Sequence, residues 1–210
     1  MAGRYRMAGA LVAAIALAGC GGSGSNSAST TSSTTSLSPA QAAKALVAVR
    51  ARVLHAGELA GFHPASHPVV GAGANSWVEA LGVPPEDKSN ELERLEQEGF
   101  VAGILEQLAP TNGGHAKGLS VVQEFQTSEA ASFELENQLK QLAKLGETPF
   151  TVTAIPGAHG YAQRSRINVE FAEGPYYYDV GARWPPGTSD PPSRAAVVAA
   201  AAALYKRVHQ

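Results

Sequence analysis

The stretch RINVEFAEGPYYYDVGA, at residues 166–182, decides the expected fold of this chain. On each side of AEGP the residues alternate between two faces, which is the pattern of two β-strands joined by a tight turn. Ile167 and Val169 share one face of the first strand, and Tyr178 and Val180 share one face of the second. The stretch therefore predicts an antiparallel hairpin with a core-facing side on each strand.

A second hairpin is predicted upstream, around the turn signal Asn112-Gly113-Gly114. Its strands are residues 100–108 and 119–125, which are rich in residue types that favour strands. A helix through residues 100–108 is the alternative, because its apolar residues also fit a period of 3.6. Gly99 and Gly103 weaken this alternative, since glycine is unfavourable in a helix.

The clearest helix of the sequence is TSEAASFELENQLKQLAKLG, with Ser128 as the expected N-cap and Gly146 at the end. Its apolar residues recur every three or four positions, as in a helix with one buried face. Four more helices are predicted: residues 38–54 with Ser38 as the cap, residues 75–81, a short helix that Ser89 or Asn90 caps and Gly99 ends, and an Ala-rich helix from Ser193 to about Val208. Residues 150–155 are expected to form a short strand, and residues 58–71 an edge strand or an extended loop.

Most of the predicted strands follow one another through hairpins, which favours an antiparallel sheet. We therefore expect a single α+β domain at residues 38–210, an antiparallel sheet with helices packed on one face. About 170 residues are enough to bury one hydrophobic core.

The N-terminal region has the pattern of an export signal. Two arginines precede an apolar run at residues 7–18, which is shorter than the roughly 20 residues of a transmembrane helix. The run leads into Leu17-Ala18-Gly19-Cys20, which resembles the lipobox of bacterial lipoproteins. The resemblance implies that residues 1–19 are a lipoprotein signal peptide and that the thiol of Cys20, the new N-terminus, carries diacylglycerol.

Residues 21–36 contain only Gly, Ser, Asn, Ala and Thr, so they have little apolar surface to bury. We expect residues 20–37 to be a lipidated cysteine followed by a flexible, disordered tether. Acyl chains such as palmitate on Cys20 would hold the domain at the extracytoplasmic face of the cell membrane. The membrane is therefore one predicted partner.

Composition excludes several functions. The chain has 16 basic and 18 acidic residues and no basic stripe, so nucleic acid is not an expected partner. Cys20 is the only cysteine, which leaves the domain without a disulfide or a thiolate metal ligand. No phosphate-binding loop or dinucleotide fingerprint is present, and neither a metal nor a cofactor is expected.

Two sets of histidines are weak candidates for a chemical site. His63 and His67 have the spacing of a helical metal site, but the prolines that follow each of them disfavour a helix. His159, Ser165 and Asp179 are the residue types of a catalytic triad, but the serine is not in a Gly-x-Ser-x-Gly elbow. The sequence thus favours a protein that is not an enzyme. The alternative is an envelope hydrolase with a site built on His159 or on the other candidate base, His115.

Aromatic residues are the best candidates for a binding surface. In EGPYYYDVGARWP, alternation sends Tyr177 to the face opposite its two neighbours, so at least one of the three rings is expected to be exposed. The turn-rich residues 155–163 are interpreted as a simple chain reversal or as a loop that holds binding residues. The predicted binding residues are Tyr161, Tyr177 and Trp184.

The segments GFVAG, GLSVVQEF, PGAHGY and NVEFAEGPYYYDVG, on an Ala-rich chain with a lipobox, resemble surface lipoproteins of high-GC Gram-positive bacteria. The resemblance spans most of residues 38–210 and implies an exported, anchored domain with no assigned active site. The predicted function is binding of a small molecule or of an envelope protein. A purely structural surface lipoprotein is a further alternative.

Overall fold

The computed structural model describes residues 37–65, 67–188 and 191–210. The predicted signal peptide, Cys20 and the tether as far as residue 36 lie outside the described residues. The helices are α1 Pro39–Arg50, α2 Ala74–Leu81, α3 Pro85–Gln97, α4 Ser128–Lys144 and α5 Arg194–Val208. The strands are β1 Phe62–Pro64, β2 Val69–Ala72, β3 Phe100–Pro110, β4 Lys117–Phe125, β5 Thr148–Thr151, β6 His159–Gln163, β7 Arg166–Glu173 and β8 Tyr176–Arg183.

The strands form one antiparallel sheet of eight, with the order β1-β3-β4-β8-β7-β6-β5 and with β2 beside β3. The predicted α+β class and antiparallel sheet are confirmed. Residues 58–71 supply β1 and β2, which both pair with β3, so their interpretation as edge-strand sequence is also confirmed.

Both predicted hairpins are present. β7 pairs with β8, Val169 lies opposite Val180, and Gly174 in the turn has φ +56°. β3 pairs with β4, so the helical alternative for residues 100–108 is wrong. Glycine is needed at position 103 of this strand, because a Cβ there would lie 2.8 Å from the ring of Trp77.

Two helix starts differ from the prediction. α3 begins at Pro85 rather than after Ser89 or Asn90, because proline suits the first helical position and acidic side chains follow it in the first turn. The N-cap of α4 is Thr127 rather than Ser128, since the Thr127 hydroxyl accepts a hydrogen bond from the backbone N–H three residues on, at 3.1 Å.

The caps of α1 and α5 are as predicted: Ser38 and Ser193 each accept a hydrogen bond from the backbone N–H three residues on. α1 ends at Arg50, earlier than the predicted residue 54.

The segment interpreted as a chain reversal or loop, residues 155–163, contains a strand in its second half. This strand, β6, pairs with both β5 and β7. Gly160 permits the pairing, because the ring of Phe150 occupies the space that a Cβ would need. The predicted strand at residues 150–155 is shifted toward the N-terminus, since β5 covers Thr148–Thr151.

The helices pack on both faces of the sheet, where the sequence analysis expects one. Alternate strand residues belong to two cores: Val122 and Tyr178 to the first, and Val121 and Tyr177 to the second. α1 and α5 cover the first core, on what we call the α5 face, and α2, α3 and α4 cover the second, on the α4 face. Strand residues that a one-sided sheet would expose to water are therefore buried under α4.

In the part of the chain that the structure describes, no helix combines the length and the apolar character needed to cross a bilayer.

Candidate functional site

A cavity of about 250 Å³ lies on the α4 face, between the sheet and the three helices that cover it. Its floor is formed by β4, β7 and β8, and its walls include Trp77 of α2, Arg94 of α3 and Leu142 of α4. Pockets for drug-sized ligands have about 300–1,000 Å³, so this cavity suits a smaller molecule.

The floor of the cavity is polar although it lies at the centre of the sheet. Glu170 of β7 is directly opposite Asp179 of β8, and Gln123 of β4 is opposite Tyr177. With Asn168 on β7, these residues are all buried, with exposed fractions of 2% for Glu170, 4% for Tyr177, 5% for Asn168, 7% for Gln123 and 8% for Asp179. Like charges directly opposite one another destabilise an antiparallel pair. The floor is therefore not an arrangement that sheet stability alone would favour.

Local interactions fix the orientation of the side chains that form the floor. Asn168 Nδ2 donates to Asp179 Oδ1 at 2.7 Å. The Tyr177 hydroxyl lies close enough to the carboxyl of Glu170 for each group to affect the pKa of the other. Gly181, opposite Asn168, leaves room for this amide, because a Cβ there would lie 2.9 Å from Nδ2.

Four buried polar atoms on residues that line the cavity have no hydrogen-bond partner among the described residues. They are Trp77 Nε1, Gln123 Oε1, Asn168 Oδ1 and Glu170 Oε2. Each such atom destabilises a folded protein by about 1–3 kcal/mol, so several around one cavity require an explanation. Three of the four are acceptors.

The environment of the floor disfavours ionisation of its carboxyl groups. Burial raises the pKa of Asp179 to about 6. Burial, and then the negative charge of Asp179, raise the pKa of Glu170 well above its usual range. The pKa of Tyr177 is raised by burial and by the charge of Glu170. Near neutral pH the floor therefore favours a proton, or another positive charge, at the carboxyl pair.

A network of charged groups joins α3 to α4 at one side of the cavity. The guanidinium of Arg94 donates to Glu91 Oε1 at 2.8 Å, to Glu98 Oε2 at 2.7 Å and to Glu134 of α4. Glu134 is fully buried, and Gln138 donates to its other oxygen at 2.8 Å. Burial, and then the charge of Glu134, raise the pKa of Glu98 to about 7.

The opposite end of the cavity reaches the protein surface. Arg166 and Arg183 face one another on β7 and β8, and both are partly exposed. Arg166 forms an ion pair with the buried Glu147. Leu145, half exposed just beyond α4, lines this end too. These residues mark the mouth of the cavity.

The structure brings one of the three predicted binding residues to the cavity. Tyr177 lines it, on the face opposite Tyr176 and Tyr178 as predicted. Tyr177 and Tyr178 are buried under the helices of the two faces, and Tyr176 is partly exposed, so the expected exposed ring is found only in part, at Tyr176. Tyr161 is buried on β6 next to Asn168 but does not line the cavity, and Trp184 packs against the core of the α5 face.

The histidine candidates lie apart from the cavity. His159, His115 and His63 are exposed. No hydrogen bond joins His159, Ser165 and Asp179 in the described part of the chain. Among the described residues, no three His, Cys, Asp or Glu side chains are grouped so as to hold a metal ion.

Sequence reasoning missed Gln123, Asn168, Glu170 and the residues that α2 and α3 add. The signal that could have found the β7 and β8 residues was the set of polar residues at alternate positions in NVEF and YYDV. Polar residues at alternate positions of a central strand are either solvated or form a buried site, and only the placement of the helices separates the two cases.

Comparison of the chain with protein-family models, with curated proteins and with solved structures gives no match.

Proposed function

We propose that this chain is a lipid-anchored module of the cell envelope that binds a small molecule in the cavity of the α4 face. The proposed anchor rests on Leu17-Ala18-Gly19-Cys20 and on the basic and apolar segments before it. The proposed binding activity rests on one observation, the four buried polar atoms without partners around the cavity.

The energetic argument for a ligand is direct. A cavity deprives its lining of packing, and each unpaired polar atom adds a desolvation penalty. A mutation of Glu170 or Gln123 to an apolar residue would remove such a penalty, and natural sequences retain costs of this kind mainly where function needs them. A bound molecule that pairs with these atoms removes the same cost and stabilises the domain by mass action.

The hydrolase alternative gains no support from the cavity. Neither His159 nor His115 lines it, and among the described residues no serine, threonine or cysteine does. The histidine base and the hydroxyl or thiol nucleophile of a His-based hydrolase are thus missing from the place where a substrate would fit. The purely structural alternative leaves the unpaired atoms of the floor unexplained.

Binding is tested by extracting small molecules from the full-length protein purified from its own envelope. We expect a discrete compound to be released on denaturation, in near-stoichiometric amount. In Val121→Phe the larger side chain fills part of the cavity, so we expect the affinity for the compound to fall by about tenfold or more, which is about 1.4 kcal/mol or more, and the retained amount to fall with it.

Val47→Phe is the matched control, because Val47 is 68% exposed on α1 and lies outside the cavity. This variant should retain the compound. A wild-type preparation without any bound compound, or equal loss in both variants, would contradict the proposed binding function.

The anchor is tested by Cys20→Ser, which removes the thiol expected to carry the lipid. We expect the protein to leave the membrane fraction or to remain as a precursor with residues 1–19 attached, as measured by fractionation and intact mass. Ser25→Ala, in the predicted tether, should stay in the membrane. Wild-type distribution and mass of the Cys20 variant would exclude the lipid anchor.

A further inference from the structure

We propose that the ligand of the cavity is a small primary ammonium compound whose ammonium group lies at the Glu170–Asp179 pair. This inference rests on the proposed binding function and adds the chemical class of the ligand.

The charges around the cavity are unbalanced. Five acidic side chains of this region are at least nine-tenths buried: Glu98, Glu134, Glu147, Glu170 and Asp179. Among the described residues, the positive charges that line the cavity are those of three arginines. Arg94 is bonded to glutamates of α3 and α4, Arg166 is paired with Glu147, and Arg183 is partly exposed to water.

Glu170 and Asp179 therefore form no ion pair with the described residues, and no lysine or histidine among those residues lines the cavity. Two buried carboxylates that lie opposite one another need a proton or a cation, because a buried charge is tolerated only when it is paired. A cationic ligand would supply the missing charge.

The unpaired polar atoms match an ammonium group independently of charge. Gln123 Oε1, Asn168 Oδ1 and Glu170 Oε2 are three acceptors without donors among the described residues. A primary ammonium group offers three N–H donors and no acceptor. Asn168 and Glu170 lie two positions apart on β7, beside Asp179, whereas Gln123 lies on the same face but on β4, beyond β8. An ammonium group at the carboxyl pair would therefore meet the two acceptors of β7.

The remaining walls suit an organic molecule better than a bare ion. Trp77, Leu105 and Val121 present apolar surface, and Trp77 and Tyr177 provide aromatic rings of the kind that attract organic cations. No third acidic, histidine or cysteine ligand is grouped with the carboxyl pair in the described residues, as a metal site would need. The carbon part of the ligand would lie against these walls.

Binding of a cation should strengthen as pH rises. The Asp179 carboxyl is about half protonated near pH 6, since burial raises its pKa to about 6. Burial, and then the charge of Asp179, raise the pKa of Glu170 well above its usual range. The other charged or titratable groups that act on Glu170 are Tyr177 of β8, Glu134 of α4 and Arg166 of β7. Ionisation of the pair creates the charge that the ammonium group binds, so its binding should release protons.

The test uses isothermal titration of the full chain, freed of bound compounds, with three probe skeletons. The three skeletons are ethyl, cyclohexyl and benzyl. Each is supplied as the ammonium compound, as the neutral alcohol and as the carboxylate. At pH 8 we expect at least one ammonium probe to bind about tenfold or more tightly than its alcohol and carboxylate counterparts, which is about 1.4 kcal/mol. Its affinity should fall from pH 8 to pH 5.

Glu170→Gln keeps the shape of the floor and removes the charge of the Glu170 carboxylate. The affinity for the ammonium probe should therefore fall by about tenfold or more. Glu106→Gln is the matched control, because Glu106 is equally buried on β3 but lies on the α5 face, outside the cavity. It should bind the probe like the wild type.

Two results would overturn the ammonium class: no ammonium probe binding better than its alcohol, or equal binding to the wild type and Glu170→Gln. In either case the compound extracted from the envelope protein separates the two proposals. A neutral or anionic compound retained there leaves the binding function standing and rejects the ammonium class. The absence of any compound rejects both.

Discussion

The Glu170→Gln variant is expected to be more stable than the wild type at pH 8, although it replaces a fully buried residue. The substitution removes the repulsion between two carboxylates that lie opposite one another in the centre of the sheet. Opposite positions of an antiparallel pair contribute up to about 1 kcal/mol, so a gain of roughly 1 kcal/mol is expected. For a domain of this size the gain amounts to roughly 2–4 °C in Tm.

The sign of the effect depends on pH. A carboxyl whose pKa is raised in the folded state favours folding below its unfolded pKa, and this contribution is lost as pH rises through the folded pKa. For Asp179 this contribution is lost between about pH 4 and pH 6, and for Glu170 it is lost as pH rises through its raised pKa. Near pH 5 the protonated glutamate and the glutamine are nearly equivalent, so the difference in Tm should shrink toward zero.

The measurement is thermal unfolding at pH 5 and pH 8, with protein that has been unfolded and refolded to remove bound compounds. Glu136→Gln on α4 is the control, because that side chain is 65% exposed and should change Tm little at either pH. A Glu170→Gln protein that is less stable than the wild type at pH 8 would show that the floor is structural. A variant that is more stable than the wild type but no longer binds the ligand indicates that the substituted residue belongs to a functional site.

The Arg94→Ala variant is expected to be strongly destabilised. The guanidinium of Arg94 is the positive partner of Glu91, Glu98 and the fully buried Glu134. Removing one partner of a buried ion pair destabilises a protein by about 3–5 kcal/mol, because a buried charge stays uncompensated. We expect Tm to fall by roughly 6–20 °C, and to fall more at pH 8 than at pH 5.

The double variant Arg94→Ala/Glu134→Gln separates loss of charge pairing from loss of packing. It should be more stable than Arg94→Ala alone, since the uncompensated charge at position 134 is gone. Lys88→Ala is the control, because Lys88 forms an exposed ion pair with Glu79, and such pairs contribute about 0–1 kcal/mol. Equal stabilities of the single and double variants would mean that Arg94 acts through packing.

Much of the fold could be predicted because it depends on local patterns. The alternation at residues 166–182, the turn at residues 112–114 and the serines at positions 38 and 193 each act within a few residues. The errors arose where local signals compete. Thr127 and Ser128 are both good caps, and β6 is short, contains a glycine and follows a turn-rich segment.

The position of the helices could not be predicted from such patterns. α2 is short, and α2 and α3 both bury few apolar residues, chiefly Trp77 and Leu95, so their sequences do not show which face of the sheet they cover. The face that the helices cover determines whether Asn168, Glu170 and Asp179 are exposed to water or line a cavity. Of the residues in the cavity, the sequence predicted Tyr177 as a binding residue, for its aromatic ring, and named Asp179 only as a member of a catalytic triad.

The central claim is that the cavity of the α4 face holds a ligand, and electron density in that cavity tests it most directly. The crystals should come from full-length protein purified from its own envelope, without refolding. We expect density for one organic molecule within hydrogen-bond distance of Glu170 Oε2 and Asn168 Oδ1. Water alone in the cavity, or a floor whose polar atoms pair with one another after Leu142 moves inward, would contradict the claim.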